Sequence, residues 1–93
     1  MAFRCASKID PLTGDAADAW SAALPLAFYT TYLSIECWDN ALEVQLSYDG
    51  TTFQGALEID VDRPLIIPFQ ARAVKVKNKD AGSTARYQIT GLD

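Results

Sequence analysis

From Arg72 to Thr90 the chain alternates. Val74 and Val76 point one way and Lys75 and Lys77 the other; after Asp80-Ala-Gly-Ser83 the rhythm resumes, with Ala85, Tyr87 and Ile89 set against Arg86, Gln88 and Thr90. Successive side chains of a strand leave on opposite faces, so a repeat of two predicts extended chain with one apolar and one wet side. The Asn, Asp and Gly between the two runs predict that they form a β-hairpin.

The same rhythm recurs upstream. Leu33, Ile35 and Cys37 oppose Ser34, Glu36 and Trp38. Leu42, Val44, Leu46 and Tyr48 are expected to face inward, with Glu43, Gln45 and Ser47 outward. Leu57, Ile59 and Val61 oppose Glu58, Asp60 and Asp62. Asp39-Asn40 marks a turn, and Asp49-Gly50 is the strongest hairpin signal, since Gly accepts the positive φ of a tight turn. Phe3, Cys5, Ser7 and Ile9 read as a first strand or an arm, ended by Asp10-Pro11 and Thr13-Gly14. Asp15–Leu24 is the one helical candidate, with Asp15 as cap and Pro25 as stop; an ordered loop anchored by Trp20 is the alternative. Pro68 in Leu65–Phe69 cannot donate to a ladder and belongs at an edge, a bulge or a corner between sheets. Seven or eight short strands at turn spacings near ten residues predict an all-β fold. That fold is a single small antiparallel β-sandwich or jelly roll, with an N-terminal arm or strand and at most one short helix.

Ninety-three residues make one domain, taken as 1–93, with 1–25 as a candidate arm and interface segment. A chain this short builds a marginal core, which association with other copies would reinforce. No apolar run approaches a membrane span, and Met-Ala-Phe-Arg-Cys lacks the apolar core of a secretory signal, so synthesis in a cytoplasm and no membrane partner are expected. Cys5 and Cys37 are expected as free buried thiols there, a disulfide being open if their strands pair.

There is no histidine. That removes Ser-His-Asp and Cys-His catalysis and the commonest base near neutrality. No phosphate-cradling glycine loop appears, no zinc set can be assembled, and no cofactor is expected. Glu58, Asp60 and Asp62 share a strand face; they suit a calcium ion, or more simply a solvated face opposite Lys75 and Lys77. The net charge is −4, yet ten acids and no base lie between Lys8 and Arg63, and six bases follow from Arg63 onward. This asymmetry fits acidic strands paired with basic ones in one molecule, or steering of a partner. Arg72, Lys75, Lys77 and Lys79 form a basic row, but without interleaved aromatic rings in an acidic protein it does not predict nucleic acid as a partner. Trp38, outward beside a turn, is a candidate interface anchor or sugar platform.

Leu46-Ser-Tyr-Asp-Gly-Thr-Thr-Phe53, Phe69-Gln-Ala-Arg-Ala-Val-Lys-Val-Lys-Asn78 and Ala85-Arg-Tyr-Gln-Ile-Thr90 together resemble small virion proteins of tailed bacteriophages. The resemblance covers about residues 42–91. It implies a β-sandwich placed in the virion as a head decoration (cement) protein, or as a neck or tail component. The expectation that follows is a non-enzymatic homo-oligomer, a trimer foremost, clamping the major capsid protein or other virion subunits. The contacts are expected at Phe3, Arg4, Trp20, Trp38, Glu58, Asp60, Lys75 and Lys77. The alternative is a carbohydrate-binding adhesion module using Trp38 with the Asp39-Asn40 and Asp49-Gly50 loops.

Overall fold

The computed structural model describes residues 8–93. Phe3, Arg4 and Cys5, and most of the first strand or arm expected there, lie outside the described residues. The strands are β1 (Ile9–Ala16), β2 (Leu24–Pro25), β3 (Tyr32–Cys37), β4 (Leu42–Ser47), β5 (Gln54–Ile59), β6 (Leu65–Ile67), β7 (Ala73–Asn78) and β8 (Ala85–Leu92). They form two antiparallel four-stranded sheets, one ordered β1-β8-β3-β6 and the other β2-β7-β4-β5.

The pairings β1–β8, β2–β7, β3–β6 and β4–β5 have a simple meaning. The chain is one long hairpin with its tip between β4 and β5, wrapped so that its arms pass repeatedly from sheet to sheet. This is the eight-stranded jelly roll. Asp49-Gly50 sits at the tip, as expected, with Gly50 at φ 88°. The turn is wider than two residues, because Ser47 and Asp49 shape it. Gly50 N–H donates to the Ser47 hydroxyl at 2.9 Å, and the Thr51 and Thr52 amides donate to Asp49 Oδ1 at 2.9 and 2.8 Å. These bonds end β4 at Ser47, so Tyr48 turns out to solvent rather than into the core as its parity predicts, while Ser47 is buried.

Parity places the core correctly elsewhere. Leu33, Ile35, Leu42, Val44, Ile59, Val74, Val76 and Ile89 are all sealed between the sheets. Each such side chain stabilises the fold by about 2 kcal/mol. Val61 is the exception: β5 has ended, the chain turns through an isolated Asp60–Arg63 bridge, and Val61 is exposed.

Three expectations are corrected. The closing alternation is not a hairpin, because β7 and β8 lie in different sheets and the 79–84 segment arches across the core. Buried Asn78 holds that arch: its Oδ1 accepts from Ala85 N–H at 2.9 Å and its Nδ2 donates to the Ser83 carbonyl and to Asp18 Oδ1. Asp15–Leu24 is not a helix. Asp15, the expected cap, lies in β1, and Asp18 accepts from Gly82 N–H at 2.9 Å and ties the β1–β2 crossing to the arch. Ser21 then joins β7 through Ser21 N–H to the Val76 carbonyl at 2.9 Å and Val76 N–H to Ser21 Oγ at 3.1 Å. Finally, Asp10-Pro11 and Thr13-Gly14 do not end the first strand but lie inside β1. β1 is an edge strand, where the N–H that Pro11 lacks need not serve a second neighbour. Residues 9–25 are therefore built into both sheets and are not an arm. The Pro68 region is the expected corner, carrying the chain from β6 in one sheet to β7 in the other. There the buried Thr30 hydroxyl donates to the Phe69 carbonyl at 2.7 Å and accepts from Ala71 N–H at 2.9 Å.

Candidate interaction surfaces

Register fixes what each sheet shows to its surroundings. On the β2-β7-β4-β5 sheet the outward row runs Lys77, Glu43, Glu58 across β7, β4 and β5. Two adjacent carboxylates would repel, and each has a lysine. Lys77 Nζ lies 3.9 Å from Glu43 and Lys79 Nζ 3.3 Å from Glu58, whose hydrogen bond and charge raise the Lys79 pKa. Glu58 thus meets Lys79, not Lys75 or Lys77 as its row suggests. Two loops fold over the lysines of β7. Lys77 lies over the Trp20 ring at 5.4 Å and Lys75 over the Phe53 ring at 4.6 Å. Trp20, Glu58, Lys75 and Lys77 are therefore brought together on one face, where acids and rings of the same molecule engage the cations. Asp60 sits apart at the β5–β6 turn. Among the described residues no group of three or more His, Cys, Asp or Glu side chains converges as a metal set would require. Cys37 is a free, buried thiol that donates to the Ile59 carbonyl at 3.4 Å, and burial raises its pKa.

The β1-β8-β3-β6 sheet is different. Two of its outward rows, Ile9–Leu92–Tyr32 and Pro11–Thr90–Ser34–Ile66, carry no charged side chain, whereas the next, Thr13–Gln88–Glu36, carries one carboxylate. Ile9 is 67% and Ile66 69% exposed, and Tyr32 is also exposed. Beside Ile66, β5 and β6 are unpaired edges of opposite sheets, and an apolar hollow of about 230 Å³ opens there, lined by Leu46, Gln54, Gly55, Leu57, Ile67 and Phe69.

At the far end of this face the last row is Asp15–Arg86, with Trp38 N–H donating to the Arg86 carbonyl at 3.1 Å. Here a shallow groove of about 500 Å³ is lined by Thr13, Gly14, Asp15, Trp38, Arg86 and Tyr87. The Trp38 indole is 41% exposed, and the Arg86 guanidinium lies 5.5 Å from its ring centre and 3.8 Å from Asp39. Tyr87 is buried with only its tip emerging; burial, and then the nearby Asp15 carboxylate, raise its pKa.

No protein-family model, curated protein or solved structure matches this chain.

The eight residues singled out from the sequence therefore divide. Phe3 and Arg4 lie outside the described residues, five fall on or beside the charged sheet, and Trp38 alone reaches the groove. Asp39-Asn40 precedes β4 and Asp49-Gly50 follows it, so the two loops lie at opposite ends of that strand and do not converge on one sugar site. Thr13, Gly14 and Asp15 were not singled out because β1 was placed too early in the chain, and Arg86, outward on β8, because the β1–β8 pairing that brings it to them was not visible. Ile9 and Ile66 went unnoticed because a lone outward isoleucine is unremarkable until the register lines it up with others.

Proposed function

We propose that the chain is a non-catalytic structural subunit of a tailed-phage particle, a head decoration protein that binds neighbouring shell subunits and stabilises the head. The observation that carries this reading is the contrast between the two outer faces. One is charged throughout and engaged by its own molecule; the other keeps its charges, Glu36, Asp15 and Arg86, toward one end and presents two uncharged rows with prominent isoleucines at the other, a patch favourable to bury against protein. The apolar hollow between β5 and β6 adjoins Ile66 and extends the same surface around an edge. Jelly rolls serve viral capsids and lectins alike, so the fold is compatible with this reading without choosing it. The absence of histidine and of a converging metal set among the described residues leaves little for an enzyme to use.

The same face joins copies into a trimer on the shell, and the apolar rows do the work that the lysine row does not. The test is protein chemistry on particles purified from cells carrying the gene. A stoichiometric 10.2 kDa band is expected in washed particles, and Ile66→Lys is expected to remove it while the soluble protein stays folded. Particles that lack the band, or that keep it with Ile66→Lys, would refute the reading.

A further inference from the structure

We propose that the Trp38 groove is a binding site for a neutral saccharide. The inference stands on the groove alone and does not depend on the docking reading.

The first observation is the pairing of surfaces. Trp38 offers a flat apolar ring, 41% exposed, directly beside hydrogen-bonding side chains of both kinds: the Thr13 hydroxyl, the Asp15 carboxylate and the Arg86 guanidinium. A pyranose has the matching pattern, an apolar face of C–H groups with hydroxyls around its rim. Ligand sites combine apolar contact with a few converging polar groups in this way, and a volume of about 500 Å³ lies within their range.

The second observation is independent of the first. Tyr87 is only 5% exposed, yet its hydroxyl has no hydrogen-bond partner among the described residues. Among those residues every fully buried side-chain oxygen has a partner, so this hydroxyl must meet solvent. It does so at Gly14, a residue of the groove lining; a Cβ added to Gly14 would stand 2.9 Å from it. A phenol packed this deeply cannot swing away to find a partner. It presents a fixed donor and acceptor at the groove, which a ligand hydroxyl can meet.

Charge selects the class. Asp15 and Asp39 outnumber Arg86, and Arg86 is already engaged by Asp39 and by the indole. A phosphate or a sugar acid would meet net repulsion, and a nucleotide base stacked on Trp38 would bring its phosphate toward two carboxylates. A neutral sugar meets none of this. The groove is open, so one or two sugar units bind with a Kd of about 1 mM.

The test uses the full chain. Amide and indole NMR shifts, with tryptophan fluorescence, are followed on adding neutral oligosaccharides built from glucose, galactose, mannose and N-acetylglucosamine. A uronic-acid oligosaccharide and inorganic phosphate are the comparison probes. A neutral oligosaccharide is expected to shift Trp38 and Arg86 signals. Tyr87→Phe keeps the buried ring and is expected to weaken binding about tenfold; Trp38→Ala is expected to abolish it in a chain whose remaining spectrum is unchanged. No response to any neutral oligosaccharide at about 10 mM, a response only to the acidic probes, or binding indifferent to both variants would each overturn the proposal.

Discussion

The ring of Tyr87 lies across Gly14 on the neighbouring strand, its hydroxyl 2.9 Å from where a Gly14 Cβ would be. An aromatic side chain covering a cross-strand glycine pins the register of β1 on β8 and shields a backbone that has no side chain of its own. Gly14→Ala is expected to destabilise the fold by about 1–2 kcal/mol through overpacking. Combining it with Tyr87→Phe should recover part of that loss, because the clash falls on the oxygen. Urea unfolding of the two single variants and the double variant measures the coupling; strictly additive losses would contradict the contact.

Asn78 is the keystone of the arch between the sheets. Its amide serves Ala85, Ser83 and Asp18, and nothing else there can replace it. Asn78→Ala strands the buried Ala85 N–H and the Ser83 carbonyl and is expected to cost about 3 kcal/mol. Asp18→Ala, at a more open site, is expected to cost about 1 kcal/mol. Equilibrium denaturation ranks the two.

Thr30 does the same at the opposite end. Its hydroxyl bridges the Phe69 carbonyl and Ala71 N–H. Thr30→Val keeps the shape and loses both bonds, for an expected loss of about 2 kcal/mol. Thr30→Ser keeps the bonds and is expected to lose less, which thermal unfolding will separate.

Acid should loosen the hairpin tip before the rest of the protein. Amides of Thr52 and Thr51, then the Ser47 hydroxyl, hold the Asp49 carboxyl far below the ordinary carboxylate range. Its folded-state pKa lies below its unfolded one, so its contribution is complete at neutral pH and fades as pH falls below about 4. Asp49→Asn should be less stable than wild type at neutral pH and converge on it in acid. The pH dependence of the urea midpoint checks this; parallel curves for the two proteins would contradict it.

Faces were legible in the sequence, and partners were not. Leu33, Ile35, Leu42, Val44, Val74, Val76, Tyr87 and Ile89 declared their inward side by parity alone, because the period of a strand is independent of its neighbour. The same parity cannot say whether Val76 and Tyr87 belong to one sheet or to two, and the second is true. Pro11 and Gly14 looked like breakers because that is what they are in a central strand; at an edge they are tolerated. The alanines between Asp15 and Leu24 looked helical, and the bonds of Asp18 with Gly82 and Asn78 that override that preference come from 64 and 60 residues away. The groove inherited these misplacements. Trp38 was visible from its outward parity, but its companions came from β1 and β8, whose pairing the sequence did not disclose.

The assignment of the two uncharged rows is tested most directly by the mass of the protein in solution, measured by light scattering during size exclusion for wild type and Ile66→Lys. The wild-type chain is expected at three times its 10.2 kDa chain mass and the variant at one. A wild-type protein that stays at the single-chain mass at every concentration, or a variant that still assembles, would contradict the assignment of that face to protein contact.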